Sequence, residues 1–147
     1  MLSEYKSQES AYLNIDDLIE GFELFEDWEE RYRYIIEMGR KLETFPDDEK
    51  TELNRVQGCV SSVWMISDVK TDDQPRFTFK ADSDSHIVRG LISILLMIYS
   101  DKTADVIASV DIENIFERLG LGRHLSPNRR NGFFSMVERI QNVAANA

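Results

Sequence analysis

The sequence predicts a mixed fold of the α+β kind (α/β in the looser sense), with a small, curved antiparallel sheet of two or three strands packed against helices. Three observations predict it. Residues 60–67 alternate with period two, residues 76–81 alternate again after a polar turn, and most of the remaining chain carries apolar residues at helical spacing behind recognisable caps. With 147 residues the chain suits one domain, 1–147, and folding at this size buries roughly two thirds of the unfolded surface, enough for a core without metal or disulfide.

Residues 1–12 are polar and aperiodic and read as a flexible acidic leader. Asn14 is placed to cap a short helix whose first turn holds Asp16 and Asp17, with Leu18, Ile19, Phe22 and Phe25 as apolar contacts. Asp27, with Glu30 three positions on, makes a capping-box pattern for a second helix. Trp28, Tyr32, Ile35, Ile36, Gly39 and Leu42 recur along it at helical spacing, and Pro46 ends it or opens the next turn.

In the first strand Val63 and Met65 share one face, and Val60, Ser62, Trp64 and Ile66 the other. Residues 68–75 turn the chain, and Phe77 and Phe79 then oppose Arg76, Thr78 and Lys80 on the antiparallel partner. Asp82, Ser83 or Asp84 is expected to cap a long apolar helix reaching about Tyr99, hydrophobic enough to lie centrally against the sheet. Thr103 starts a short helix, and Asp111 another that stops at Gly120. Ser126 followed by Pro127 is a strong helix start, and Phe133, Val137, Ile140 and Ala144 give that helix its apolar stripe.

Charge and composition exclude several function classes. The net charge is −10, and residues 1–50 hold fifteen Asp or Glu against six Lys or Arg, a field that repels a phosphate backbone. No basic stripe interleaved with aromatics is visible, so nucleic-acid binding is disfavoured; the acidity reads as a solvated surface or, more sharply, as a contact for a basic protein. The apolar run 87–99 is short and interrupted by Arg89 and Gly90, so no membrane span is expected. The first ten residues lack a basic segment followed by an apolar core, and one cysteine excludes an internal disulfide framework. Together these suggest a reducing, cytoplasmic setting, with no metal or resident cofactor expected.

The single cysteine, Cys59, follows Gly58 at the mouth of a loop just before the first strand. An inert buried thiol is the plain reading. A reactive one is the sharper reading, because glycine permits a tight loop and loops on rigid scaffolds commonly present reactive groups. The thiolate is the nucleophile, and at an ordinary pKa of about 8.5 only a small fraction is ionised at neutral pH, so a nearby cation would help. Arg55, His124, Arg129 and Arg130 are candidates for that cation.

Three separated motifs carry a resemblance: RVQGCVSSVW at residues 55–64, DSDSHIVRGL at 82–91 and RHLSPNRRNG at 123–132. In this order and register they closely resemble the SufE-like family of sulfur acceptors, which includes SufE and CsdE, over about Phe25 to the C-terminus. Three motifs in register are far more specific than one. The resemblance implies a fold shared with IscU-type scaffolds and a function in which Cys59 takes persulfide sulfur from a pyridoxal-phosphate-dependent cysteine desulfurase of the SufS or CsdA type. It further implies stimulation of that desulfurase and delivery of the sulfur to an iron–sulfur cluster assembly scaffold. On this reading the chain is a covalent carrier and not itself an enzyme.

The resemblance also marks Asp84, for which a helix cap is the preferred reading over catalysis, and Arg129, divided equally between a structural ion pair and a cation for partner or thiolate. His124 is a candidate loop contact, and Trp64 either packs the core or shields a persulfide. Ser85, Asn128 and the longer acidic leader depart from the commonest family pattern, and the leader leaves partner choice open. Two other functions compete. A cluster scaffold is disfavoured because assembly normally needs several thiolates. A cysteine-nucleophile hydrolase using Cys59 with His86 or His124 and Asp84 requires those groups within hydrogen-bond reach.

Overall fold

The computed structural model describes residues 14–146, so the expected leader, 1–12, lies outside the described residues. Helix α1 (Ile15–Glu23) begins where expected: the Asn14 side chain accepts a hydrogen bond from the Asp17 backbone N–H at 2.9 Å, and Leu18, Ile19 and Phe22 turn inward. Helix α2 (Trp28–Arg40) is capped by Asp27, which accepts from the Glu30 N–H at 2.9 Å, and it buries Ile35, Met38 and Gly39. Pro46 does not end this helix but opens a short 3₁₀ turn, Asp47–Glu49.

The sheet has two strands among the described residues, β1 (Val63–Lys70) and β2 (Arg76–Ser83), antiparallel and in register from Val63 opposite Ser83 to Lys70 opposite Arg76. Val63, Met65, Phe77, Phe79 and Ala81 share the inner face, the alternation read from the sequence. Both expected ends of β1 are wrong, since the strand pairs on through Lys70, past the turn expected from residue 68. Strand β1 starts at Val63, not at 60, because the ladder ends at the Val63–Ser83 pair; Val60 lies in the preceding loop, 73% exposed.

Helix α3 (His86–Tyr99) is the central element, with nine residues buried, among them Leu91, Ile94 and Leu95. Removing such a side chain from water contributes about 1.5–3 kcal/mol. Its cap is Ser85, which accepts from the Val88 N–H at 3.4 Å, rather than Asp82, Ser83 or Asp84. β2 runs through Ser83, and the carboxylates are engaged elsewhere: Asp82 meets Lys50 and Arg89 at 3.3 and 3.2 Å, and Asp84 accepts from the Ser62 N–H at 3.2 Å.

Helix α2 crosses α3 closely because glycines stand at the contact. A Cβ built on Gly39 would lie 2.6 Å from the Gly90 backbone nitrogen, and one on Gly90 would collide with the Ile35 carbonyl. Helices α4 (Ala104–Ser109) and α5 (Ile112–Arg118) start at Thr103 and Asp111 as expected. Gly120, at φ 79°, ends that passage and leads into α6 (Leu121–His124), a single turn that periodicity does not reveal. Helix α7 (Pro127–Ala145) is capped by Ser126 and buries Phe133, Val137, Ile140 and Ala144 against the core. One apolar cluster runs from Leu18 in α1 to Ala144 in α7.

Candidate functional site

The loop before β1 is fixed at both ends by hydrogen bonds, with no backbone–backbone bond between them. At its start the Met65 N–H donates to the Asn54 carbonyl at 2.9 Å and the Val56 N–H donates to the Val63 carbonyl at 2.8 Å. From α7, Arg139 reaches across and donates to the carbonyls of Arg55 and Leu53 at 3.2 and 3.3 Å. At its end, Ser62 and Asp84 are doubly joined: the Ser62 N–H donates to the Asp84 carboxylate, and the Asp84 N–H donates to the Ser62 carbonyl at 3.3 Å. Residues 57–61, with Cys59 at their centre, span the gap. Gly58 has φ 90°, a conformation that favours glycine, and any Cβ there would strike Ser135 Oγ.

Cys59 is half-buried, and its thiol points to α7, where Sγ lies 3.7 Å from the Gly132 carbonyl oxygen as a weak S–H donor. Beside it is a cavity of about 380 Å³. Val63, Val88, Leu91, Phe133 and Met136 supply its apolar wall; Ser126, Asn128 and Arg129, from the start of α7, supply polar groups. Burial pushes the Cys59 thiol above its ordinary pKa, and the positive charge of Arg55 pulls part of the way back. The resting thiol is therefore less ionised at neutral pH than a free cysteine.

The residues singled out in the sequence divide into two groups. Gly58 shapes the Cys59 loop, Asp84 anchors its far end, and Arg129 lines the same cavity as the thiol. His124 is elsewhere, exposed and stacked on Trp28 with ring centroids 4.6 Å apart and planes 10° apart. His86 is an exposed first residue of α3, and neither imidazole lines the cavity. The groups a cysteine hydrolase would need are thus not brought together.

Among the candidate cations, Arg55 acts on the thiol through its charge, whereas Arg130 lies over the rings of Phe116 and Phe134 at 5.5 and 5.9 Å. Trp64 is half-buried under the Lys50 ammonium, 5.3 Å from its ring centre, and does not line the cavity. Among the described residues, no three His, Cys, Asp or Glu side chains are grouped to hold a metal ion, and no helix is long and apolar enough to cross a membrane. Sequence reasoning missed Gly132, Ser135 and Arg139. Their signal is positional, since 132, 135 or 136, and 139 share one face of a helix.

Comparisons with known proteins identify the family. Residues 16–144 match the family described as "SufE: Fe-S metabolism associated domain". An uncharacterized SufE-like protein of Rhizobium meliloti is 44% identical over 132 residues, covering 89% of this chain and 94% of that protein. Another from Rhizobium etli is 42% identical over 140 residues, covering 95% of each. A solution structure of a hypothetical protein from Thermus thermophilus superposes with a TM-score of 0.72 over 90% of this chain and 94% of its own, at 18% identity, and so shares the fold. With a family match across almost the whole length and relatives above two-fifths identity on both sides, this chain belongs to the SufE family, which is associated with iron–sulfur metabolism.

Proposed function

We propose that the protein is a sulfur acceptor, in which Cys59 takes persulfide sulfur from a pyridoxal-phosphate-dependent cysteine desulfurase and passes it on to iron–sulfur cluster assembly. The observation that carries the reading is a lone thiol at the centre of a loop whose two ends are pinned, beside a cavity with an apolar wall and a polar side that includes Arg129. A carrier needs one nucleophilic thiol, access for a donor and shelter from other thiols, and needs neither a base nor a metal of its own.

The step balances without an external oxidant. The Cys59 thiolate attacks the terminal sulfur of the donor's cysteine persulfide; the donor's S–S bond breaks as the Cys59 S–S bond forms. The donor cysteine leaves as a thiolate, and the proton lost by Cys59 is available to it. Removing the product sulfur in this way would also stimulate the desulfurase. Arg129 is assigned to the partner or to the charge on sulfur, and Asp84 and Gly58 to holding the loop. His124, stacked on Trp28, is assigned to support the segment leading into α7. A reducing, cytoplasmic setting follows from a carrier that must keep its thiol free.

Incubation with a SufS- or CsdA-type desulfurase and cysteine, followed by intact mass measurement, tests the reading. Gain of one sulfur atom on the protein, lost in Cys59→Ser, is expected. No gain with any desulfurase of the source organism would overturn it.

A further inference from the structure

Two small residues on α7 receive the Cys59 loop. Gly132 and Ser135 are three positions apart and therefore share a helix face. The first offers its carbonyl to the Cys59 thiol at 3.7 Å. The second stands where a Cβ on Gly58 would have to go. A Cβ on Gly132 would meet Cys59 Sγ, Cβ and Cα at 3.5, 3.8 and 3.9 Å, ordinary contact distances, so α7 and the loop already touch at glycine on both sides. Other side chains of the loop do little to hold it down: Val60 is 73% exposed, and Gln57 and Gly58 are exposed as well.

We infer that Gly132 and Ser135 are positioning residues for Cys59, forming a notch on α7 whose depth sets how far the thiol is withdrawn and hence how fast it reacts. The chemistry of the seat favours a resting thiol. A carbonyl oxygen accepts from S–H but repels a sulfur anion at the same place, so ionisation and departure from the notch are coupled. The charged groups facing the thiol are Arg55 from its own loop and Arg129 from α7, with Asp84 one anchor further off, bound to Ser62. The α3 residues on the cavity, Val88 and Leu91, carry no charge.

A larger side chain at 135 is expected to press on Gly58, because the Ser135 hydroxyl oxygen already occupies the space beside it. The contact thus explains the size of two residues at once, Gly58 and Ser135. The inference concerns the thiol itself and holds whether or not the donor is a desulfurase.

The test is alkylation of Cys59 by iodoacetamide in the folded full-length protein, as a function of pH, for wild type, Ser135→Val and Ser135→Leu, with Val106→Ala, exposed on α4 and outside the cavity, as the control. The expected rates at neutral pH rise several-fold from Ser to Val to Leu, while Val106→Ala stays close to wild type. The midpoint of the pH profile should fall toward that of a free thiol along the same series, and amide exchange should quicken at 57–61 but not along α7. Rates that stay flat across the series, or that rise only with exchange throughout α7, overturn the inference. If Ser135→Leu fails to fold, Ser135→Val decides the outcome alone. No donor protein takes part, so failure here is distinct from failure to acquire sulfur.

Discussion

Cys59 carries two opposed influences, and their order has consequences. Burial raises its pKa and Arg55 lowers it by less, so the alkylation rate of the native protein should rise with pH through a midpoint above that of an ordinary thiol. Removing the cation in Arg55→Gln leaves burial unopposed: the midpoint moves further up and the rate at neutral pH falls, which a stopped reaction followed by mass measurement would record. A midpoint that stays put or drops would show that Arg55 does not act on the thiol. The same shift links to stability. Between the unfolded and folded pKa values the native thiol keeps a proton that the unfolded one has released, so its contribution is present below the ordinary thiol value and is lost as pH rises through the folded one. Cys59→Ser should therefore flatten the alkaline decline in thermal stability.

The elements around the site fit because of a few close approaches that composition does not advertise. Gly90 lies in an apolar run where alanine would improve helix propensity by about 0.8–1 kcal/mol. At this position, however, the new methyl meets the Ile35 carbonyl and its side chain in α2, with backbone on both sides and no flexible tip to yield. Overpacking costs about 1–3 kcal/mol and should prevail, so Gly90→Ala is expected to lower the denaturation midpoint despite its propensity gain. An unchanged or higher midpoint would mean that the α2–α3 contact relaxes freely. The caps and stripes of these elements were legible in advance: Asn14, Asp27, Thr103, Asp111 and Ser126 all cap where their residue types predict. What was not legible is how elements distant in sequence compete for the same side chain. Asp84 has the right type and place to cap α3, yet Ser62, twenty-two positions earlier, takes it, and Ser85 caps instead. Val60 alternates in step with β1 but has no partner beyond the Val63–Ser83 pair. For the site, Cys59 and Gly58 could be read from the chain and Arg129 from the motif, whereas the Gly132, Ser135 and Arg139 face depends on where the loop lies.

At the scale of the whole molecule, the charge excess is concentrated in the first third of the sequence. The net charge of −10 comes chiefly from residues 1–50, and α1 shows the cost locally, with Asp16 and Asp17 at its favourable N-terminal turn but no basic residue in its last turn, where exposed Glu23 faces the negative end of the helix. The surface pairs that offset this repulsion, such as Glu29–Arg33 at 3.8 Å, are highly exposed and contribute little. Salt should therefore stabilise the protein, since at about 0.15 M the screening length is about 8 Å and repulsion among the carboxylates weakens. Glu23→Lys should raise the melting temperature most at low salt, by an amount that corresponds to about 0.3–1 kcal/mol for the helix end and shrinks as salt is added. Because α1 does not line the Cys59 cavity, the alkylation rate of the thiol should stay at its wild-type value in this variant. A salt-independent gain would trace the effect to helix propensity alone, and no gain at low salt would show that the end of α1 is not under electrostatic strain.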